Sequence, residues 1–566
     1  MTQSGHISRN VPMLFRAQID ERCQLQRLQR DEEPHIIRWA NEWVERTYPD
    51  APEFGEEVQS KTYQINWRFL SNSGQDDSVI RPVIGARGWP FLPGSSMKGL
   101  FRRACISDEE RSRYCGTSSD SDDLRPGILR FHGGYPTDTA WTENLVDIVH
   151  PQQDWQVKSS QKSGGAFALI SLHEPEFRFG ISSTVDLDDS KWETIWRIWE
   201  RALARGIGGR VSAGYGQPAS HKGDVLYYCG LKGQGQAPKL FDGTGEFRPN
   251  IFRAGIRGHA LRIFGGLTTT AVAEQAVETL FGGVQGGATV GLLSMTFRPS
   301  RLEMESYGSG SYAQPTYKVE GELSWSLVRS LESEEQRQAL TKLIEALTRF
   351  AMVLGGFGKS WRRADHRLFL PEYYDQGYKP LIGCHWQWSG TRSLMRDVKI
   401  RRIDHANRFI NEVREAARQW LRLWGFPVDE TRPARWRETW HPDRVQVWGR
   451  PHLDASRTPI TAEQCEAIRW LHQPYRQAFR EANIRKGTIY QSSLTGKINQ
   501  VGRIWHRMYP FVNVLKDKET GKGRPRTTPA FFEFLTVFPD GSETSDEFLR
   551  FLDSEQRMFQ KVWPLA

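Results

Sequence analysis

The chain carries the same succession of short motifs twice, and this internal repeat constrains the fold more than any other sequence feature. In the first half the order is Arg-Pro, Lys-Gly-x-x-x-Arg, x-Gly, Gly-Ile-Leu and a glycine cluster, at residues 81–82, 98–103, 115–116, 127–129 and 206–210. The second half repeats that order at residues 248–249, 257–262, 281–282, 291–293 and 355–359. Because any one motif is common and their shared order is not, the pattern indicates a duplicated domain.

An amphipathic helix is predicted before each glycine cluster. Apolar residues recur there with the i, i+3, i+4, i+7 spacing of a helix with one apolar face: Trp192, Ile195, Trp196 and Trp199, and then Leu340, Leu343, Ile344 and Leu347. Short apolar runs predict strands at residues 62–70, 127–131, 167–172, 225–229, 291–297 and 317–327. Strands that alternate with helices predict an α/β (α+β) fold, and a ferredoxin-like, RRM-like β-α-β-β-α-β plan suits each half.

We therefore expect two tandem units. The first covers residues 1–235, with a helical insertion at about 31–50 and a thumb-like hairpin at about 137–166. The second covers residues 236–566, with a long insertion at about 391–480 and a basic C-terminal segment. The role of the long insertion is left open, with contact to a neighbouring subunit as one reading.

The charge of the chain favours a polyanionic partner. Lys and Arg exceed Asp and Glu by nine, and such an excess attracts phosphate backbones. Residues 481–528 hold ten Lys/Arg against three Asp/Glu, interleaved with Tyr490, Trp505, His506 and Tyr509. Cationic side chains contact phosphates and aromatic rings stack on bases, so this combination suits RNA binding.

Cysteine usage and hydropathy indicate a reduced, aqueous compartment. None of the six cysteines belongs to a C-x-x-C pair, so neither a zinc ribbon nor a disulfide framework is indicated. No run of eighteen apolar residues occurs, and residues 1–13 lack the apolar core of a signal peptide. We expect a cytoplasmic protein without a membrane partner.

The segment Pro93-Gly94-Ser95-Ser96-Met97-Lys98-Gly99, followed by Arg102-Arg103 and by the glycine-rich loop 206–216, resembles the RAMP superfamily of CRISPR effector complexes. The resemblance covers roughly residues 60–390, and the second half departs from it, since Ala254-Gly255-Ile256-Arg257-Gly258 stands where the Pro-Gly-Ser-Ser-x-Lys-Gly motif is expected. It implies a type III backbone subunit with two fused RAMP units, serving antiviral defence. The implied partners are guide (crRNA) and target RNA, other RAMP backbone subunits and a large signalling subunit.

The start of the first motif helix predicts a phosphate-binding surface. Ser95 and Ser96 offer hydroxyls and free backbone N–H groups at the positive end of a helix dipole, and Lys98 adds charge on the next turn. The candidate RNA-binding residues are Ser95, Ser96, Lys98, Arg102, Arg103, Gly208, Gly209, Arg210, Arg253, Arg257, Arg262, Lys359, Arg362 and Arg363. If these residues do not bind RNA, the motif helix is a capped helix with a basic exposed face, and the glycine clusters are turns that end a helix.

The catalytic candidates follow from the same resemblance. Residues 76–81, Asp-Asp-Ser-Val-Ile-Arg, resemble the family's catalytic loop Asp-x-x-Val-x-Arg, which puts Asp76 at the catalytic position and Asp77 beside it. The resemblance implies that Asp76 holds a divalent cation, Mg²⁺ with Mn²⁺ as the alternative, while the RNA 2′-hydroxyl attacks the scissile phosphate. Asp242 is the corresponding candidate in the second half, one residue out of register. The alternative is that these acidic residues only form turns.

Other readings stay open. His150, Trp155, Lys158 and Lys162 are candidates for a thumb that interrupts guide–target pairing. His259, Asp365, His366, Cys384 and His385 lack the regular spacing of a zinc site, so structural or RNA-contacting roles are favoured for them. The competing functions are a catalytically silent subunit of the same complex, a guide-precursor ribonuclease with a His acid–base pair and an aromatic-rich carbohydrate-binding protein.

Overall fold

The computed structural model of the protein describes residues 35–565, except residues 77–78, 118–124, 150–152, 160–166, 221, 241, 284–288, 376, 396–399, 401, 451–459, 477–486, 498–499, 517–522 and 555–557. The chain divides into two units. Unit 1 comprises residues 1–151, 165–225 and 326–328, and unit 2 comprises residues 152–164, 226–325 and 329–566. Both units mix helices with mainly antiparallel sheets, which confirms the α+β class.

The helices are α1 His35–Glu45, α2 Gly94–Ala104, α3 Asp108–Cys115, α4 Gln153–Lys158, α5 Asp189–Leu203, α6 Asn250–Gly265, α7 Thr270–Phe281, α8 Glu334–Val353, α9 His366–Phe369, α10 Thr391–Met395, α11 Ile403–Leu423, α12 Ala467–Trp470 and α13 Glu543–Ser554. The strands are β1 Gln59–Gln64, β2 Arg68–Phe69, β3 Gly74–Asp76, β4 Val79–Arg81, β5 Leu129–Pro136, β6 Val146–Val149, β7 Phe167–Ile170, β8 Leu172–His173, β9 Glu176–Ser183, β10 Asp224–Gln236, β11 Leu293–Tyr307, β12 Gln314–Leu327, β13 His385–Ser389, β14 Gln446–Arg450, β15 Gly496–Lys497, β16 Gln500–Val501, β17 Ile504–Lys516, β18 Gly523–Val537 and β19 Gln560–Trp563. No helix in these described parts combines the length and the apolar character that a membrane crossing requires.

The first sheet of unit 1 has the order β1-β9-β5, with β9 antiparallel to both neighbours. On the other side of β1 the chain returns at residues 217–219, where the Ala219 amide donates to the Gln64 carbonyl (2.9 Å) and the Asn66 amide donates to the Gln217 carbonyl (2.8 Å). When the segments are numbered along the chain, with residues 217–219 as the fourth, their order across the sheet is fourth, first, third, second.

Helix α5 covers this sheet and forms where the sequence predicts it. The Asp188 carboxylate caps the helix by accepting the Lys191 amide at 2.9 Å. Its apolar face buries Ile195 and Trp199, and the Trp199 ring lies 5.0 Å from the Phe179 ring of β9. Periodicity and capping therefore specify the same helix.

A second sheet of unit 1 has the order β3-β4-β7-β6, with β4 parallel to β7 and the other pairs antiparallel. A small apolar core lies next to it, formed by Trp67, Leu70, Val149, Leu169, Ala213 and Tyr215, with Ile80 packed against it. This core joins the β3-β4 hairpin to the glycine-rich loop, because both contribute side chains to it.

The first sheet of unit 2 has the order β11-β12-β10-β13, which is second, third, first, fourth along the chain. Helix α6 packs against α8 and β11. The Phe252 ring of α6 lies 4.8 Å from Phe297 and 5.1 Å from Trp386, so aromatic side chains fill the space between helix and sheet.

A further four-stranded sheet lies in the C-terminal part of unit 2 and was not predicted. Its order is β17-β18-β14-β19, again second, third, first, fourth. The pairs β14-β18, β14-β19 and β17-β18 are antiparallel. Strand β14 falls within the segment 391–480, which the sequence pattern suggests is an insertion. Residues 446–450 of that segment pair with the C-terminal strands β18 and β19.

The interior of unit 2 holds a buried cluster of charges around Glu438. Its carboxylate accepts hydrogen bonds from Arg262 (2.9 Å), Arg362 (2.8 Å) and Arg437 (3.0 Å), and all four side chains are nearly or fully buried. Burial alone would raise the pKa of Glu438, but Arg362 and Arg262 hold that pKa below its ordinary value. The carboxylate therefore stays charged and balances part of the arginine charge.

We expect Glu438→Gln to lower the free energy of unfolding of unit 2 by about 3–5 kcal/mol, because it leaves buried guanidinium groups without a counter-charge. Denaturant unfolding followed by tryptophan fluorescence measures this change. Glu303→Gln is the control, since the Arg301 partner of Glu303 is 74% exposed and such pairs contribute up to about 1 kcal/mol. A Glu438→Gln effect no larger than that of the control would contradict the role of this cluster.

Candidate nucleic-acid interface

The start of helix α2 is fixed against the first sheet of unit 1. Leu92 exchanges two backbone hydrogen bonds of 3.0 Å with Gly134 of β5, and Pro93 then begins the helix. A Cβ on Gly94 would collide with the Phe131 carbonyl oxygen. Glycine is therefore required at position 94, because the helix begins directly on the backbone of β5.

The first turns of α2 divide into a buried and an exposed side. Met97 is fully buried, whereas Ser95, Ser96, Lys98 and Gly99 are exposed. Pro93 provides no side-chain cap, so N–H groups at this helix end are left for an outside acceptor. Within the described parts of the chain, no hydrogen bond or ion pair engages the side chains of Ser95, Ser96 and Lys98.

The two arginines at the other end of α2 differ. Arg102 is half-buried and donates to the Gly116 carbonyl at 2.9 Å. Arg103 is exposed, and its carbonyl accepts a hydrogen bond of 2.8 Å from Arg205, next to the glycine-rich loop. Arg103 is therefore the exposed one of the two, and its backbone lies beside that loop.

The glycine-rich loop folds on the protein's own backbone. Gly208, Arg210 and Gly216 all have positive φ, the region that glycine adopts most readily. The Gly209 amide donates to the Leu70 carbonyl at 2.7 Å, and a Cβ on Gly208 would collide with that same oxygen. The close approach of the protein's own backbone therefore explains why residue 208 is a glycine, as the alternative of a glycine turn expects. Gly208 itself stays exposed.

Arg210 lies on this loop with its guanidinium carbon 5.6 Å from the centre of the Tyr215 ring. The side chain is half-buried. Stacking on Tyr215 holds the guanidinium in place, which suits either loop stability or a positioned cation.

Asp76, the predicted catalytic residue, lies in the hairpin of β3 and β4, which we call the acidic hairpin. This hairpin follows Leu70, whose carbonyl holds the glycine-rich loop. Asp76 is the last residue of β3 and pairs with Val79 through the backbone. The Val83 amide donates to the Ser71 hydroxyl at 2.9 Å, so both ends of the hairpin are tied together. The side chain of Asp76 and the whole of Asp77 lie outside the described residues, so both stay predictions.

A continuous set of backbone contacts joins the acidic hairpin to the start of α2. The Phe91 amide donates to the Val83 carbonyl at 3.0 Å, and Leu92 then pairs with Gly134. Leu70 holds the glycine-rich loop on the other side. The three motifs predicted from the first half therefore come from neighbouring parts of one unit.

The corresponding arginines of the second half have internal roles. Arg262 and Arg362 are buried against Glu438, and this contradicts the prediction that they contact RNA. Arg253 donates to the Phe281 carbonyl at 2.6 Å, and Arg257 forms an ion pair with Asp154. Helix α6 therefore does not present the exposed basic face that its motif predicts.

Arg363 is also engaged inside unit 2, where it donates to the Thr495 carbonyl at 2.9 Å and to the Ile504 carbonyl. Burial lowers its pKa to about 10. Lys359, which follows the second glycine cluster, is exposed. Among the second-half candidates, Lys359 keeps the exposure that RNA contact requires.

Asp242 occupies a tight turn. Its carboxylate accepts hydrogen bonds from the Thr244 amide at 2.9 Å and the Thr244 hydroxyl at 2.7 Å, and these bonds lower the pKa of Asp242. The side chain is exposed. This geometry is that of a turn-forming aspartate, which agrees with the turn alternative.

Two of the four thumb candidates, His150 and Lys162, lie outside the described residues. Strands β6 and β7 form an antiparallel pair, and the segment between them includes α4, which belongs to unit 2. Lys158 of α4 forms an ion pair with Glu274 and lies 5.7 Å from the Trp436 ring, while Trp155 is half-buried. Lys158 is thus held by protein contacts, and the thumb role stays a prediction.

One group of side chains with metal-binding chemistry was missed by sequence reasoning. Cys465, His506 and Glu533 are buried in unit 2 and bring their ligand atoms within 4.8 Å of one another. The cysteine and histidine are 41 residues apart, and the histidine and glutamate are 27 residues apart. No short motif could reveal such a group.

Comparison with known proteins adds little. No family model matches the chain, and no curated protein matches it significantly. Solved structures that align include a chain of the type III-B Cmr-β complex bound to cognate target RNA (TM-score 0.21, 17% identity, 28% of this chain and 58% of that one), a chain of a type IV-B CRISPR complex (TM-score 0.19, 16% identity, 28% and 87%) and Cmr6 from Pyrococcus furiosus (TM-score 0.17, 14% identity, 29% and 98%). The chain spans little more than half of the first of these. Scores this low do not show a shared fold.

Proposed function

We propose that the exposed start of helix α2 binds the sugar–phosphate backbone of single-stranded RNA, and that the chain is an RNA-holding subunit of an RNA-guided complex. The observation that carries this proposal is the set of exposed residues Ser95, Ser96, Lys98 and Gly99, whose polar side chains have no partner in the described parts of the chain. The resemblance of residues 93–103 to the RAMP motif supports a guide RNA as the ligand.

The chemistry of this surface suits a phosphate. A helix N-terminus directs N–H groups and a partial positive charge at its ligand. Serine hydroxyls donate a further hydrogen bond each, and Lys98 provides a mobile cation two residues after Ser96. Contacts of this kind position a strand without reading its bases, as a protein that holds many different guides requires.

Gly99 supports close approach by a ligand. Glycine inside a helix costs roughly 0.5–1 kcal/mol relative to alanine. A Cβ at position 99 would meet no described atom within 4 Å, so packing within the chain does not require the glycine. A nucleic-acid strand lying against this turn would require it.

We expect Lys98→Ala to weaken binding of single-stranded RNA and to reduce the slope of log affinity against log salt concentration by about 0.7, the value for one lost phosphate contact.

Gly99→Ala should weaken RNA binding while leaving the thermal stability equal or slightly higher. Fluorescence anisotropy over a salt series, with a melting curve for each variant, measures both effects. Carbohydrate binding, in contrast, would be nearly independent of salt.

Lys191→Ala is the matched control for Lys98→Ala. Lys191 is an exposed lysine on α5 that pairs with Asp188, and its loss removes the same charge from another surface. The proposal fails if Lys191→Ala changes the salt slope as much as Lys98→Ala, or if Gly99→Ala leaves the RNA affinity unchanged.

We further propose that the β3-β4 hairpin carries a cleavage site for the paired target RNA. The observation that favours it is the attachment of this hairpin through Leu70 and Ser71 to the loop beside α2, which keeps residue 76 in the unit that holds the guide. Asp76, with Asp77 beside it, would hold Mg²⁺ through carboxylate oxygens, and a bound cation stabilises charge that develops on the scissile phosphate.

We expect Asp76→Ala combined with Asp77→Ala to reduce target cleavage by at least about a hundredfold, the scale of a lost electrostatic contribution to a transition state. Guide binding should be retained, as measured by co-purified RNA. Asp242→Ala serves as the control and should leave cleavage unchanged. An unchanged fragment ladder in the double variant identifies a silent RNA-holding subunit, and cleavage that survives EDTA identifies a metal-independent ribonuclease.

A further inference from the structure

Three buried side chains of different chemistry converge in the C-terminal part of unit 2. The Cys465 Sγ atom lies 3.0 Å from Glu533 Oε1 and 3.5 Å from His506 Nε2, and His506 Nε2 lies 3.0 Å from the same Oε1. All three residues are buried, with at most 1% of their surface exposed. They form a thiol–imidazole–carboxylate cluster.

The fold places these side chains from three separate elements. Strands β17 and β18 are antiparallel with Met508 opposite Glu533, so His506, two residues from Met508, lies diagonally across from Glu533 on the same face. Cys465 comes just before helix α12, and the Ala467 amide at the start of that helix donates to Glu533 Oε1 at 2.8 Å. The cluster therefore joins α12 to the β17-β18 hairpin.

Hydrogen bonding alone does not satisfy these groups well. Glu533 Oε1 is the nearest acceptor for three donors, the Cys465 thiol, His506 Nε2 and the Ala467 amide, although a carboxylate oxygen offers about two lone pairs. Among the described residues, Oε2 contacts only the Glu466 amide at 3.5 Å and Arg450 at 3.9 Å. The buried His506 Nδ1 has no hydrogen-bond partner in the same described parts of the chain, and unpaired buried polar atoms are costly.

The arrangement is also unlike a catalytic relay. In a nucleophile–His–carboxylate triad, one imidazole nitrogen faces the nucleophile and the other faces the carboxylate. Here Nε2 of His506 is the nitrogen that contacts both Cys465 and Glu533. A fully buried thiol such as that of Cys465 is moreover a poor nucleophile for an external substrate.

We propose that Cys465, His506 and Glu533 bind a zinc ion that links helix α12 to the β17-β18 hairpin. Zinc is bound by cysteine sulfur, histidine nitrogen and carboxylate oxygen, and sites with three protein ligands carry water in the fourth position. Mg²⁺ does not fit, because it prefers oxygen ligands. This inference is independent of the proposed RNA binding.

The distances agree with a tetrahedral site after a small movement. Typical zinc bond lengths imply ligand separations of about 3.6 Å for sulfur to nitrogen, about 3.4 Å for nitrogen to oxygen and about 3.6 Å for sulfur to oxygen. The sulfur–nitrogen separation of 3.5 Å already agrees, and the two separations that involve Glu533 are 3.0 Å each. A shift of the carboxylate by about half an ångström accommodates the ion.

The test is the zinc content of the full-length chain, purified without chelators and measured by inductively coupled plasma mass spectrometry. We expect one zinc per chain in the unchanged protein and in Cys384→Ser, which alters another buried cysteine of unit 2. Cys465→Ser should lose at least about nine-tenths of the zinc, because serine replaces the thiolate ligand. Serine still donates a hydrogen bond to Glu533, so a purely hydrogen-bonded cluster predicts no difference between the variants.

Cobalt substitution keeps the proposal testable if Cys465→Ser folds poorly. The unchanged protein and Cys384→Ser, reconstituted with Co²⁺, should both show a thiolate-to-cobalt charge-transfer band. A zinc chelator should lower the melting temperature of both proteins, and added Zn²⁺ should restore it. The proposal is overturned if the unchanged protein contains no zinc and takes up none, or if the cobalt complex lacks the thiolate band.

Discussion

Two hydrogen bonds at Leu70 and Ser71 hold the functional motifs of unit 1 together. The Leu70 carbonyl accepts the Gly209 amide at 2.7 Å, and the Ser71 hydroxyl accepts the Val83 amide at 2.9 Å. Both residues are buried, so leaving either acceptor unpaired would cost about 1–3 kcal/mol. These two bonds hold the glycine-rich loop and the acidic hairpin on adjacent residues, and the chain then runs on to the start of α2.

The two halves of the repeat use the same motif differently. In the first half the Lys-Gly motif lies on the surface, with Lys98 exposed. In the second half Arg257 and Arg262 stand in the same motif and pair with Asp154 and Glu438. A basic motif can therefore serve either ligand binding or internal ion pairing, and burial decides between these roles.

The sequence predicted what local periodicity determines. Helix α5 and the apolar face of α8 follow directly from residue spacing, because each helix buries one side. Three strands of the first sheet of unit 2, β10, β11 and β12, lie where apolar runs predict strands, whereas β13 was not predicted. The C-terminal sheet was not predicted either, because its first strand, β14, ends at Arg450 and the next strand of that sheet, β17, begins only at Ile504. Strand pairing over such a distance leaves no local signal.

The candidate sites also divide into those that local sequence motifs predicted and those that depend on tertiary structure. The exposed start of α2 was predicted from its motif, and the acidic hairpin was predicted as a loop next to it. Arg262 was misjudged because charge suggests exposure, whereas the rings of Trp361 and Trp505, 5.3 and 5.1 Å from its guanidinium carbon, enclose it. Cys465, His506 and Glu533 were missed because their proximity is created by tertiary structure.

The proposed RNA contact lies at the start of helix α2. Ultraviolet crosslinking of the RNA-bound chain, followed by mass spectrometry of the crosslinked peptides, locates this contact. We expect nucleotide adducts on residues 93–103 and on the glycine-rich loop 206–216. Adducts confined to other segments, such as the basic strands β17 and β18, with none on residues 93–103, would contradict it.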